Sequence, residues 1–291
     1  MVLTWLTNLI LLFFSLIFNF TEIANVQFSG LIMPESIISQ SIISADKAAV
    51  LSADGRYLFF SKQAEEVQPI ASITKLMTAM VFLETKPNFV DTYKIRAEDN
   101  ILGGKLHLFL GDTVNLKDLF LTSLVASDNG ATIALVHSSG LSEEEFIKRM
   151  NIKAKDLRLL KTEFADPIGL SERNVSSARE VSLMTLAAFK VDMIKEALSL
   201  KDYTYLTAEG REKFVESTDY LLFDTEEIGF SSLGGKTGYT DQAGYCFSGM
   251  FEGPSGEMLV ATVLNSEGKN GRFKESKTII NWVINAYSSN K

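Results

Sequence analysis

Pro69-Ile-Ala-Ser72-Ile-Thr-Lys75-Leu-Met-Thr-Ala79 is the stretch from which the rest of the chain can be read. Leu76, Met80 and Leu83 recur at helical spacing, so a helix is expected from Ser72 to Glu84. Residues three apart share a helix face, which puts the Lys75 amine within reach of the Ser72 hydroxyl. Serine is a weak nucleophile without an adjacent base. Lysine serves as that base only when desolvation or a neighbouring cation lowers its pKa. Free N–H groups and the positive dipole end at a helix start favour negative charge on a bound carbonyl oxygen. Taken alone, S-x-x-K is a common chance match.

Outward from this helix the chain reads as strands, then helices, then strands. Ahead of it, Ala48-Ala-Val-Leu-Ser-Ala-Asp54-Gly55-Arg-Tyr-Leu-Phe-Phe60 holds two β-prone runs around Asp-Gly, a hairpin signal. Behind it, Asn115 is placed to cap a helix carrying Leu116, Leu119, Phe120 and Leu124. Ser142-Glu-Glu-Glu145 reads as a capping-box start for a helix with Phe146, Ile147 and Met150, its acidic run suiting the dipole rather than a metal. Ser177 to Phe189 is a further amphipathic candidate. Gly244 to Phe251 and Met258 to Asn265 are β-rich and joined by Gly253-Pro254-Ser255-Gly256. Ser276 to Tyr287 reads as a closing helix with Ile279, Ile280, Val283 and Tyr287 on one side. The pattern predicts an α/β (α+β) domain: one sheet with helices on its faces, a helical insertion, and the early hairpin paired with the late strands.

Two further motifs stand in the chain. Ser127-Asp128-Asn129 offers a hydroxyl that can relay a proton and an amide that can hold a peptide group; read alone, it is better taken as a helix-to-helix turn rich in capping residues. Lys236-Thr237-Gly238, within Gly234-Gly-Lys-Thr-Gly-Tyr-Thr240, suggests an edge strand along a cleft. Lys236 and Thr237 suit a carboxylate, and Gly238 permits close backbone approach. Alone this is better read as a glycine-rich turn between strands. It is a poor phosphate loop, because Phe230 stands where the leading glycine belongs.

In the order S-x-x-K, S-D-N, K-T-G, the three form the set that marks class A β-lactamases and penicillin-binding proteins. The sequence resembles the D-alanyl-D-alanine carboxypeptidases among the low-molecular-mass penicillin-binding proteins. The likeness extends from Lys47 to Tyr287. It includes the stretch quoted first, Phe164-Ala-Asp-Pro-Ile-Gly-Leu-Ser171 with Ser177-Ala-Arg-Glu, and Ala243-Gly-Tyr-Cys246 after the third motif. The resemblance implies a β-lactamase-like fold, an antiparallel sheet flanked by helices with a mostly helical subdomain. It implies that Ser72 attacks the bond between two terminal D-alanines of a peptidoglycan stem peptide and that Lys75 is its base. Ser127 then passes a proton to the leaving D-alanine, and Asn129 orients the peptide. Lys236 and Thr237 hold the carboxylate along the Gly238 strand, with Lys236 helping to keep Lys75 neutral. The backbone N–H groups of Ser72 and Tyr239 form the oxyanion hole. It also implies acylation of Ser72 by β-lactams, and no metal or organic cofactor.

The chain departs from the family in places. Asp128 stands where glycine is commoner, which leaves specificity open, and Asp166 stands where asparagine is frequent before the loop proline; Asp166 and Glu163 are read as structural. An extra β-rich domain and a C-terminal amphipathic anchor, found in many relatives, are expected to be missing after Lys291. A β-lactamase is the nearest rival, but no E-x-x-L-N pattern lies between Ser127 and Lys236. The same motifs also suit an endopeptidase acting on cross-links or a non-catalytic penicillin-binding sensor.

The composition agrees with a folded domain, at 46% hydrophobic and 22% charged residues. A net charge of -8 without a basic block argues against nucleic acid. One cysteine, Cys246, excludes an internal disulfide and reads as a small buried hydrophobe. The two histidines, His107 and His137, lie near no carboxylate motif, and no metal-ligand spacing is present. Val2 to Phe20 is uncharged and apolar, long enough to span a bilayer. Without a basic start or an A-x-A site it reads as a retained anchor rather than a cleaved signal. The expected division is 1–30 as anchor or signal segment with tether, and 31–291 as the catalytic domain on the extracytoplasmic face of the membrane.

Overall fold

The structure, a computed structural model, describes residues 43–101, 103, 105–224 and 229–288. The apolar N-terminal segment lies outside the described residues. Among those described, no helix is long and apolar enough to cross a membrane.

In chain order the elements are β1 (Lys47–Ser52), β2 (Leu58–Lys62), β3 (Val67–Pro69), a 3-10 turn (Ala71–Thr74) and α1 (Lys75–Glu84). There follow β4 (Thr92–Lys94), β5 (Thr113–Asn115), α2 (Leu116–Val125), α3 (Asn129–Ser138) and α4 (Glu143–Asp156). Next come β6 (Val175–Ser177), α5 (Ala178–Phe189), α6 (Asp192–Ser199), β7 (Asp202–Leu206) and β8 (Glu212–Glu216). The chain ends in β9 (Ser231–Thr240), β10 (Gly244–Glu252), β11 (Met258–Ser266) and α7 (Gly271–Ser288). Further 3-10 turns lie at Ala97–Asp99 and Tyr220–Phe223.

Five strands form one antiparallel sheet in the order β2-β1-β11-β10-β9. The early hairpin thus joins the late strands through β1 and β11, as the sequence predicts, and β9 is an edge strand, with β2 at the other edge. Alternating side chains fill two cores, as a period of two requires. Ala48, Val50, Leu259, Ala261 and Val263 pack with Phe273, Ile279, Ile280 and Val283 of α7. Ala49, Val260 and Leu264 face the opposite core, shared with α5 and the helical region.

The caps read from sequence hold. Asn115 accepts from the Asp118 N–H and Ser142 from Glu145; Ser177, where the sequence suggested only an amphipathic helix, also caps its helix by accepting from Glu180. Two expectations need correction. The helix expected from Ser72 begins as a 3-10 turn, and α1 proper starts at Lys75. Its residues from Lys75 through Phe82 are all buried, because α1 runs through the centre of the helical region. The closing helix starts at Gly271 rather than Ser276; the Tyr287 side chain lies outside those described.

Candidate active site

Ser72 sits in the 3-10 turn, held by contacts on two sides. Ala71 before it has φ 48, a left-handed conformation that costs a non-glycine residue free energy and persists only when neighbours impose it. A Cβ on Gly169 would lie 2.0 Å from the Ala71 carbonyl oxygen. One on Gly238 would lie 2.8 Å from the Ile70 oxygen and 3.2 Å from the Ser72 nitrogen. Glycine is therefore required at both places for loop and strand to press this closely on the turn.

Lys75 is wholly buried, and its Nζ has three partners: Ser72 Oγ at 2.9 Å, Asn129 Oδ1 at 2.8 Å and the Ile168 carbonyl at 2.9 Å. The last two can only accept. A neutral amine gives its two N–H groups to them and turns its lone pair towards the Ser72 hydroxyl, the one partner able to donate. Burial brings the Lys75 pKa down to about 7, against the opposing pull of Asp128 and Asp166.

The loop that supplies the Ile168 carbonyl is fastened by Asp166. Its carboxylate accepts the backbone N–H groups of Ile168, Gly169 and Ser171. It is a structural loop carboxylate, as read from the sequence. Glu163 joins Val175 through backbone hydrogen bonds.

The second motif forms the turn between α2 and α3. Ser127 itself adopts φ 58, a second strained position beside a reactive hydroxyl. Asn129 bridges, accepting from Lys75 and donating to the Gly103 carbonyl at 2.9 Å. Asp128 caps α3 by accepting from the Ala131 N–H. Its other oxygen meets His107 Nδ1 at 2.9 Å and the His107 backbone N–H at 3.0 Å. This corrects the reading of the histidines as lying away from carboxylates. His107 pairs with Asp128, and His137 lies 2.6 Å from the buried Asp99.

The third motif lies on edge strand β9. Lys236 is wholly buried, its Nζ 2.7 Å from Ser127 Oγ and 2.9 Å from the Thr237 carbonyl. Burial holds its pKa well below the ordinary lysine range, reinforced by Lys75 and Arg272 and opposed by Asp219. Thr237 Oγ1 donates to Thr218 Oγ1 at 2.7 Å. The Tyr239 ring is half-exposed and stacks on Tyr245 at 4.3 Å between centroids. Contacts bring the candidate residues together: Lys75 meets Ser72 and Asn129, Lys236 meets Ser127 and the Thr237 carbonyl, and Gly238 packs on Ser72, with Tyr239 next along β9.

Sequence reasoning missed Thr218, Asp219, Arg272, His107 and the Ile168 carbonyl. Arg272, at the start of α7, donates to the Gly238 carbonyl at 3.1 Å from behind the strand. No short-range pattern marks these residues, because each reaches the cleft from a distant segment. Cys246 is fully buried, its thiol pushed up to about 11 by desolvation, and takes no part. Among the described residues, no group of three His, Cys, Asp or Glu side chains is placed to hold a metal.

Residues 35–268 match the family described as D-alanyl-D-alanine carboxypeptidase, peptidase S11. The chain belongs to that family. It is 28% identical to the D-alanyl-D-alanine endopeptidase of Escherichia coli K12, over 84% of this chain and 79% of that protein. It is also 28% identical to D-alanyl-D-alanine carboxypeptidase DacF of Bacillus subtilis, over 84% of this chain and 63% of that one. Across several curated relatives the chain spans between 58% and 80% of their length. Among solved structures, penicillin-binding protein D2 of Listeria monocytogenes in its cefotaxime-bound form superposes with a TM-score of 0.71. That match is 30% identical and covers 83% of this chain and 97% of the other. The fold is that of the penicillin-binding proteins, as the sequence resemblance implied.

Proposed function

We propose that the protein hydrolyses the terminal D-alanine from peptidoglycan stem peptides ending in D-Ala-D-Ala, through an acyl-enzyme on Ser72. The observation that carries this reading is the Ser72–Lys75 pair, a hydroxyl 2.9 Å from a wholly buried amine whose other two hydrogen-bond partners only accept. Lys75 takes the Ser72 proton as Oγ attacks the carbonyl carbon of the penultimate D-alanine. The carbonyl oxygen becomes an oxyanion facing the N–H groups of Ser72 and Tyr239. Ser127 gives its proton to the departing amine as the C–N bond breaks. Lys236, 2.7 Å behind it, keeps that hydroxyl oriented and with Thr237 meets the substrate carboxylate. Asn129 orients the peptide. Lys75 hands the proton it took from Ser72 on to Ser127, which restores both groups; water then attacks the ester with Lys75 again accepting a proton, which returns to Ser72 Oγ as the acyl bond breaks. β-Lactams, as acylating mimics of the substrate, stop at the first ester.

The test is intact-mass analysis of the 30–291 fragment with benzylpenicillin, followed by D-alanine release from a D-Ala-D-Ala peptide. A lasting single adduct, lost with Ser72→Ala, supports the reading; no adduct sinks it. A transient adduct with penicillin consumed points to a β-lactamase. The engagement of Asp166 with three backbone N–H groups argues against that outcome, since it leaves this loop carboxylate committed to the loop.

A second reading keeps the chemistry and changes the substrate. The Escherichia coli relative is named an endopeptidase, which favours cleavage of peptide cross-links as well. Incubation with cross-linked muropeptides and mass analysis of the products separates the two. The same reading puts residues 31–291 on the extracytoplasmic face of the membrane, tethered by the apolar segment within 1–30. Fractionation of cells expressing the chain with and without that segment tests it.

A further inference from the structure

Three cations lie buried behind and beside the cleft. Lys75 and Lys236 are wholly buried, and Arg272 is nearly so. A buried cation is sustained only by a nearby counter-charge or by giving up its proton. Lys75 has two anions acting on it, Asp128 and Asp166. Lys236 is in a different position. From α1 it is faced by Lys75, from α7 by Arg272, and from the 3-10 turn Tyr220–Phe223 by the residue that precedes that turn, Asp219. Of these, Asp219 alone is an anion.

Asp219 is fully buried. Its Oδ1 accepts the Leu221 N–H at 3.0 Å, and its backbone N–H donates to Ser217 Oγ. Its Oδ2 has no hydrogen-bond partner within the protein, and the same holds for Nε of Arg272. The carboxylate is therefore not spent in a close ion pair. It acts through its field, on Arg272 and on Lys236. Its chain neighbour Thr218 is the residue that holds the Thr237 hydroxyl, so the backbone itself fixes Asp219 behind the third motif. Arg272 is further faced by Cys246, Tyr220 and Tyr245, none of them a carboxylate, which leaves Asp219 as the one carboxylate acting on it.

We propose that Asp219 is a positioning residue for the reaction: as the buried anion behind β9, it keeps Lys236 protonated against Ser127, so that the leaving group meets an oriented proton donor and the substrate carboxylate meets a cation. This rests on the carboxypeptidase reading above. Asp219 touches neither substrate nor the reacting atoms; it acts through Lys236. Burial pushes its own pKa up to about 7, so it is ionised on the alkaline side, where Lys236 is at risk of losing its proton. The sign follows: an anion stabilises the protonated amine, so its loss lets Lys236 deprotonate at lower pH.

The experiment uses Asp219→Asn, which preserves the shape and the acceptor for Leu221. D-alanine release and benzylpenicillin acylation are measured from about pH 5 to about pH 10 for wild type and variant. The alkaline limb of kcat/KM is expected to fall by about one pH unit, with KM rising most at high pH. A variant with lowered thermal stability and an unmoved alkaline limb, or a limb moved upward, overturns the proposal and leaves the carboxypeptidase reading standing. If wild type itself releases no D-alanine and takes up no penicillin, that reading fails and this one with it. Should the variant not fold, the carbon-13 shift of Lys236 Cε in the wild-type protein decides the matter, with Lys236→Arg giving the assignment. An inflection as Asp219 ionises is expected, and a flat shift through that range overturns the proposal.

Discussion

Lys75 and Lys236 belong to the same site, and the fold treats them differently. Lys75 begins a helix that is buried on every side, and three partners converge on its nitrogen from that helix's turn, from Asn129 and from the Ile168 loop. Lys236 lies on an edge strand and shares its nitrogen between Ser127 and the carbonyl of its own neighbour. The first environment suits an amine that loses and regains a proton. The second suits one that keeps its proton and orients what it touches. Desolvation lowers both pKa values, so burial alone does not separate the roles. The hydroxyl that each amine meets does, Ser72 beside Lys75 and Ser127 beside Lys236.

The comparison breaks most directly by deleting each amine. Lys75→Met is expected to slow penicillin acylation by about 10³-fold, the range for loss of a positioned base. Lys236→Met is expected to raise KM for the peptide more than it lowers the acylation rate. Rapid-mixing acylation kinetics with D-alanine release for both variants checks this, and matching profiles would erase the distinction.

Gly169→Ala attacks the Lys75 side alone. The added Cβ meets the Ala71 oxygen at φ +88, so stability is expected to fall by about 3 kcal/mol, read by thermal or denaturant unfolding. Penicillin uptake should fall with it, because the turn bearing Ser72 must shift.

The pH profile sharpens the contrast without any substitution. A base works unprotonated, so the acylation rate should rise with pH and level off above about 7, where Lys75 has lost its proton. A rate that instead falls through that range would assign the proton to the wrong lysine. Asp128→Asn gives the smallest effect. Removing an anion that favours protonated Lys75 should move that rise to lower pH by less than about one unit. The amide set against the His107 N–H should also cost about 1 kcal/mol.

Much of this was legible locally. The caps at Asn115 and Ser142, the Asp-Gly hairpin and the two late strands depend on residues close together in the chain, and each was found where the sequence put it. The three motifs also converge as their order implied. What escaped reading is contact between distant segments. Thr218 meets Thr237, Gly169 meets Ala71, Arg272 meets Gly238 and His107 meets Asp128, and in each case neither residue type nor spacing announces the partner.

Cys246 has a practical consequence. It is the chain's single thiol, enclosed beneath the sheet and reluctant to ionise. The native protein should therefore be silent towards maleimide and iodoacetamide reagents while folded. A cysteine introduced at an exposed site such as Ser255, in the turn between β10 and β11, would then carry a dye or spin label as the single modified position, with no background thiol to remove first.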